Sequence, residues 1–310
     1  MAGGWAAVIA ALVLTVLVAV VFVSRARTLN SSATPGFAQS SPKPEEIKTD
    51  GNDTQTVVYE SHDFGVQSVS ESEIDSLLHP VTNPDLQSRL LRYKGFDVGF
   101  NPIMHVPNWV AWELTGDEVR GTIGRHGSFE ADPRVEGSAE KWDYNYSGYD
   151  RGHMAPAGDM KWDSIAMQNS FYMTNMCPQA KELNTGAWKN LEEKCRNWAI
   201  ADSAIIIITG PVLTDSITDR IGDTGVAVPH RFFKVVLAPF ADPVRGIGFV
   251  MPNSKVRGGL QGSAVSIDEV ERITGHNFFA ALPDSIEDAV EAECDFPYWS
   301  RHSSKNKRWK

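Results

Sequence analysis

The chain has 310 residues, 42% of them hydrophobic and 22% charged, with a formal net charge of −10 at pH 7. It is long enough to bury a sizeable core, as one large domain or two small ones, and its composition is that of a soluble enzyme. The acidic balance argues against a chromatin-type or tight sequence-specific nucleic-acid binder, because phosphate contacts favour basic surfaces. It does not exclude an enzyme with a local basic cleft.

Trp5 to Val23 is an almost unbroken apolar run without charge, close to the roughly 20 residues that span a bilayer. Residues 1–28 therefore read as a transmembrane signal anchor or a cleaved signal peptide, the anchor being favoured because the run is long for a signal-peptide core. Arg25 and Arg27 follow the run and by the positive-inside rule would keep the rest of the chain cytoplasmic. A secreted type of hydrolase argues the other way. The location expected is membrane-anchored and extracytoplasmic, periplasmic or at the cell surface, or secreted if the run is cleaved. Residues 29–56 are rich in Ser, Pro, Thr, Asn and Asp, the composition of a flexible linker.

The folded domain is expected over 57–310. Leu90–Tyr93 and Phe96–Asn101 read as a short strand with a turn, and Pro107–Leu114 as a second strand. Thr115–Tyr149 is polar and rich in Gly, so mostly loop. Asn169–Asn175 is a further strand candidate. Gly186–Ala201 has helical spacing, with Trp188, Leu191, Cys195 and Trp198 on one stripe, and Asn184 stands where an N-cap is expected. Ala204–Pro211 reads as a buried strand, and His230–Pro239 and Gly246–Pro252 as two more. Ser266 followed by Glu269 has capping-box spacing and starts a helix to Thr274. Mixed strands with a few helices point to an α+β fold.

Two segments carry chemistry. Asp150-Arg151-Gly152-His153 places a cation for phosphate oxygens and an imidazole that titrates near neutrality around a glycine that lets the backbone bend. Farther on, the Asn184 carbonyl can face a hard cation, and Glu192, about two turns later, can reach a water of its shell. Magnesium suits so sparse a set of protein oxygens. The plain alternative is an N-cap and a solvated helix residue. Cys177, Cys195 and Cys294 have no Cys-x-x-Cys spacing, which argues against a zinc ribbon and leaves one disulfide plus a free thiol open. No His-Glu-x-x-His is present, so a zinc hydrolase is disfavoured.

From Leu90 to Pro283 the sequence resembles the DNA/RNA non-specific endonucleases, the endonuclease G-like ββα-metal nucleases. The resemblance rests on Asp150-Arg151-Gly152-His153, on Asn175 with Pro178-Gln179, and on Leu183-Asn184, Ala187-Trp188 and Leu191-Glu192. Softer matches follow at Thr209-Gly210-Pro211, at Val228-Pro229-His230 with Phe232-Phe233-Lys234, and at Ile267-Asp268. It implies a mixed sheet core carrying a ββα-metal site that cuts DNA and RNA and leaves 5′-phosphate ends. It further implies that His153 is the general base, Asn184 the direct magnesium ligand, and Glu192 a catalytic residue that binds the hydrated metal. Manganese or another divalent cation could substitute. Arg151 would contact the scissile phosphate, Asn175 would line the site, and Arg125 is the candidate for an arginine that acts upstream of the motif. Asp150 is expected to position its neighbours through hydrogen bonds. The partners expected are DNA and RNA as substrates and the membrane through the apolar run; whether the chain forms a homodimer is left open. The competing reading is a catalytically inactive, membrane-tethered nucleic-acid-binding module.

Overall fold

Branched and aromatic residues that alternate between two packed layers build the centre of the protein. The computed structural model describes residues 18–19, 67–68 and 71–302, and the chain divides into a unit over Met1–Ser68 and a unit over Val69–Lys310. In the first unit β1 (Val18–Ala19) pairs in parallel with β2 (Gln67–Ser68). The rest of the apolar run, and the segment expected as a linker, lie outside the described residues.

The second unit holds a seven-stranded, wholly antiparallel sheet. Its strands are β3 (Arg89–Arg92), β4 (Asp97–Asn101), β5 (Val106–Thr115), β8 (Ala204–Pro211), β11 (Arg231–Ala238), β12 (Arg245–Pro252) and β13 (Ala264–Val265), in spatial order β13-β12-β11-β8-β5-β4-β3. Every residue of β8 is buried, as a β-branched run must be when both faces of a sheet are covered. Strand alternation then sorts the core into two layers. Ile205, Ile207, Trp112, Phe232 and Val236 face one layer; Ile206, Ile208, Ala111, Phe233 and Val235 face the other.

Among the described residues seven α-helices flank the sheet: α1 (Glu71–Leu77), α2 (Gly116–Val119), α3 (Ser164–Asn169), α4 (Lys189–Asp202), α5 (Ile267–Thr274), α6 (Asp284–Ala292) and α7 (Phe296–Arg301). Helix α4 supplies Leu191, Cys195, Trp198 and Ala199 to the first layer, where the Trp198 indole N–H donates to the Trp299 carbonyl at 2.8 Å. Ile267 and Val270 of α5 and Val290 of α6 fill the second. A small hairpin, β6 (Asp150–His153) with β7 (Met176–Gln179), stands apart from the large sheet, and a pairing of β9 (Arg220–Ile221) with β10 (Val226–Ala227) closes a loop. The fold is α+β.

Several expectations shift. The strand sought at Asn169–Asn175 is displaced: Met173–Asn175 forms a tight turn and the strand follows it as β7. Pro178 within β7 is tolerated because a two-stranded ribbon leaves one edge of each strand unpaired. Ser266 caps α5 by accepting from the Glu269 N–H, but the Glu269 carboxylate turns to Arg272 instead of closing the box. All three cysteines are free, Cys177 and Cys195 buried and Cys294 exposed, so the open disulfide option is not used. No helix among the described residues is long and apolar enough to cross a membrane; α4 is 14 residues long. The transmembrane expectation thus has no counterpart among the described residues.

Candidate active site

Hairpin β6–β7 pairs Asp150 with Gln179, Arg151 with Pro178, Gly152 with Cys177 and His153 with Met176. Two-residue alternation puts Arg151 and His153 on the same face of β6. Gly152 is required on the opposite face, since a Cβ there would lie 2.3 Å from the Gln179 side-chain oxygen. Behind the hairpin an irregular helical turn, Leu183–Trp188, with Gly186 in a non-helical conformation within it, leads into α4. Hairpin, turn and helix together wall a cleft of ≈ 530 Å³ that Arg125, Arg151, His153, Asn184 and Glu192 all line.

The His153 ring is wedged between Phe129, 5.5 Å away centroid to centroid, and the edge of Phe171 at 5.1 Å. Its backbone carbonyl accepts from the Trp188 indole at 3.4 Å, which ties β6 to the turn before α4. The Nε2 atom has no hydrogen-bond partner. Burial first, and the Arg125 charge second, push the imidazole pKa down to about 3. At neutral pH the ring is therefore uncharged and one nitrogen carries a free lone pair, the form that can accept a proton. Arg125 reaches this group from its exposed loop, with its guanidinium 5.1 Å from the Phe171 ring centroid.

Arg151 is held by the segment just upstream. Its Nε donates to the Lys141 carbonyl at 3.1 Å, its Nη2 donates to the same oxygen, and Nη2 also donates to Asn145 Oδ1 at 2.8 Å. The guanidinium also lies 5.4 Å from the Phe129 ring centroid and 5.7 Å from that of Tyr144. Nη1 takes part in none of these bonds, so a fixed guanidinium presents donors to the cleft.

Asn184 is not an N-cap. The cap position of α4 is Trp188, without a side-chain hydrogen bond, because the chain is already coiled through Leu183–Trp188. The Asn184 amide nitrogen instead donates to Asp150 Oδ2 at 3.0 Å. That bond fixes the amide orientation and leaves Oδ1 as the acceptor to be used elsewhere, the arrangement by which outer-shell carboxylates orient metal ligands. Asp150 thus holds a neighbour by a hydrogen bond.

Asn175 lies away from the cleft surface. It is fully buried; its Oδ1 accepts from the Ala155 N–H, and its Nδ2 donates to the carbonyls of Ala155 and Ser170, each at 2.9 Å. It stitches the exit of β6 to the approach to β7. The expectation that it lines the site meets a residue that shapes the hairpin from below.

Glu192 is half-buried in the cleft wall, and burial pushes its pKa up to about 7 against the opposing charge of Lys234. Three polar neighbours beneath it have no motif in the sequence that announces them as a group. Asp159 accepts from Arg196 Nη1 at 2.7 Å and from the Trp112 indole at 3.2 Å. Lys234 is buried, its Nζ without a hydrogen-bond partner, 4.7 Å from the Trp188 ring centroid and 5.1 Å from that of Trp112. Position parity on β11 does set Lys234 on the same layer as Phe232 and Val236, and Arg196 follows Glu192 by one helical turn; those were the available signals.

The cleft is locally basic. Arg125, Arg151, Lys189 and Arg196 line it against the carboxylates of Asp150 and Glu192, so an acidic chain still offers a phosphate-attracting surface here. An oriented amide oxygen and a carboxylate lining one cleft match the few protein oxygens magnesium takes. The donor set therefore fits one hydrated hard cation.

Residues 75–285, more than half of the chain, match the family model for DNA/RNA non-specific endonuclease. The chain is 36% identical over 207 residues to a protein named mitochondrial nuclease EXOG from Danio rerio, a match covering 61% of this chain and 60% of that one. It is 34% identical over 239 residues to the mitochondrial nuclease of Saccharomyces cerevisiae, covering 68% and 70%. It is 32% identical over 217 residues to Nuclease C1 of Cunninghamella echinulata, covering 64% and 86%. A chain from the crystal structure of the EndoG/EndoGI complex superposes with a TM-score of 0.62 at 27% identity, covering 70% of this chain and 95% of that one. The matches span about 60% of the length of the EXOG relatives. The mitochondrial names among these relatives overturn the expectation of a membrane-anchored extracytoplasmic or secreted enzyme, which rested on the apolar run and on the analogy with secreted hydrolases.

Proposed function

Because the chain belongs to the DNA/RNA non-specific endonuclease family, we propose that it hydrolyses phosphodiester bonds of DNA and RNA with one divalent cation, magnesium or manganese, and leaves 5′-phosphate ends. The observation that carries the reading is His153: an uncharged imidazole whose Nε2 has no partner, in a cleft it shares with Arg151, Asn184 and Glu192.

Nε2 of His153 takes a proton from a water placed between the imidazole and the phosphorus, and the hydroxide attacks in line with the P–O3′ bond. Phe129 and Phe171 hold the ring so that little reorientation is needed. Arg151, fixed by Lys141 and Asn145, donates to the non-bridging oxygens as their charge grows. Arg125 adds a second cation beside the base; an anionic phosphate near it offsets the charge that helps depress the His153 pKa. Asn184 through its carbonyl oxygen and Glu192 through its carboxylate would hold the cation, which would supply further neutralisation of the phosphate. Asn175 acts as a positioning residue for the hairpin. As the P–O3′ bond breaks, O3′ leaves with its electron pair and takes a proton from water, giving a 3′-hydroxyl, and the phosphate stays on O5′ of the downstream fragment. Contacts to phosphate rather than to base edges support weak sequence preference.

The test is a digest of plasmid DNA and of RNA with and without magnesium. The wild-type full-length chain should cut both, and His153→Ala should lose about 100- to 10,000-fold of the rate with an unchanged melting curve. A wild-type protein that stays folded but inert across several divalent metals would leave the nucleic-acid-binding module in its place.

A further inference from the structure

On the opposite layer of the sheet, helices α5 and α6 sit unusually close to β12. A Cβ at Gly246 would lie 2.6 Å from Val290 Cγ1 and 2.7 Å from Ile267 Cδ1, and one at Gly248 would lie 2.7 Å from Val270 Cγ2. The two glycines therefore let both helices drop onto the strand, with Ile267, Val270 and Val290 buried beneath them. Glu291, next to Val290, is carried inward with it and is only 5% exposed.

The result is a convergence of carboxylates. One oxygen from each of Asp268, Glu271 and Glu291 lies within 4.8 Å of the others. Glu271 Oε1 accepts from the Phe278 N–H at 2.6 Å, which fixes that side chain. Glu291 Oε1 is shut off from solvent and has no hydrogen-bond partner. Among the described residues no lysine, arginine or histidine forms an ion pair with any of the three; Arg272, the nearest arginine in sequence to Glu271, is paired with Glu269. A second group, Asp75, His79 and Asp97, converges as tightly but differs on this point. Arg92 Nη1 lies 2.9 Å from Asp75 and 3.6 Å from Asp97, and His79 lies 2.9 Å from Asp97. That group already contains its counter-charge.

Three carboxylates this close repel one another, and burial together with the Glu271 charge pushes the Glu291 pKa up to about 8, so its carboxylate needs a proton or a cation to compensate it. Calcium takes several oxygen ligands at about 2.3–2.6 Å, so oxygens that all lie within 4.8 Å of one another can share one ion. All-carboxylate donors with no imidazole or thiolate select a hard cation over zinc or copper. We propose that Asp268, Glu271 and Glu291 form a binding site for a hard divalent cation, calcium by preference, that joins α5 to α6. The site is independent of the catalytic reading and lies on the layer away from α4.

Calorimetric titration with calcium chloride tests it on the full chain bearing Asn184→Ala and Glu192→Gln, which removes the catalytic donors. One equivalent should still bind, and the melting temperature should rise by several degrees. Adding Glu291→Gln should abolish both effects. No calcium heat and no melting shift in the first variant would overturn the proposal, as would equal binding after Glu291→Gln. Should that combination fail to fold, wild type is compared with Asp268→Asn, an exposed position. Loss of one bound equivalent supports the site, and unchanged stoichiometry overturns it.

Discussion

The two layers of the central sheet are packed to different ends. On one, the Trp112 and Trp188 rings lie against Lys234, and Asp159 meets Arg196 of α4, which also carries Glu192. On the other, Ile206, Ile208, Phe233, Val235 and Phe278 meet with the apolar stripes of α5 and α6, and Glu291 is the buried carboxylate of those two helices. The first layer gathers buried charge of both signs around the cleft, which destabilises unless it is compensated; the second is dominated by apolar burial, with its carboxylates confined to α5 and α6. Stability and reactivity are thus assigned to opposite sides of the same strands, by alternation of single residues along β5, β8 and β11.

That division can be broken in graded ways. The largest effect is the loss of cleavage in His153→Ala, which leaves the second layer untouched. Next, Ile208→Ala should destabilise the protein by about 2–5 kcal/mol, a fall in Tm of roughly 10 °C, while the rate per folded molecule stays unchanged. A coincident loss of rate in thermal denaturation and nicking assays would mean that the layers are not separate. Asp150→Ala releases the Asn184 amide and should weaken apparent magnesium affinity roughly 10- to 100-fold with little change in Tm, read from the half-saturating magnesium concentration for plasmid nicking. The smallest effect is in pH. Glu192 binds its proton up to about pH 7, and only its carboxylate form can hold a cation. Acidification through that value should raise the magnesium requirement, and Glu192→Gln should flatten the dependence. His153, with its pKa near 3, stays uncharged across the same window and adds no limb of its own.

Much of this was legible in sequence where local pattern decides. The isoleucine run of β8 and the alternation in β11 and β12 read as buried strands because burial is written into consecutive residues. The spacing of Asp150, Arg151 and His153 likewise marks a cleft, since two-residue alternation aims Arg151 and His153 together. What the sequence hid depends on contacts between distant segments. Asn184 resembles an N-cap until Asp150, on another element, is seen to take its amide. Asn175 resembles a wall residue until its side-chain amide is seen to bond the Ala155 and Ser170 backbones. The Asp159–Arg196 pair joins a loop to α4, and no periodicity reports such a pairing. The apolar run Trp5–Val23 has the length of a membrane span, but length and hydropathy do not carry an address, and several of the named relatives are mitochondrial nucleases.

Of the three thiols, only Cys294 reaches solvent, and it stands between α6 and α7, three residues beyond Glu291. Cys177 and Cys195 are closed off in the core. A maleimide fluorophore should therefore attach at a single position without mutagenesis. Burial around the Cys294 sulfur raises its pKa, so attachment is fastest on the alkaline side of neutrality. The native chain thus offers a single labelling site just past α6, beside the three converging carboxylates.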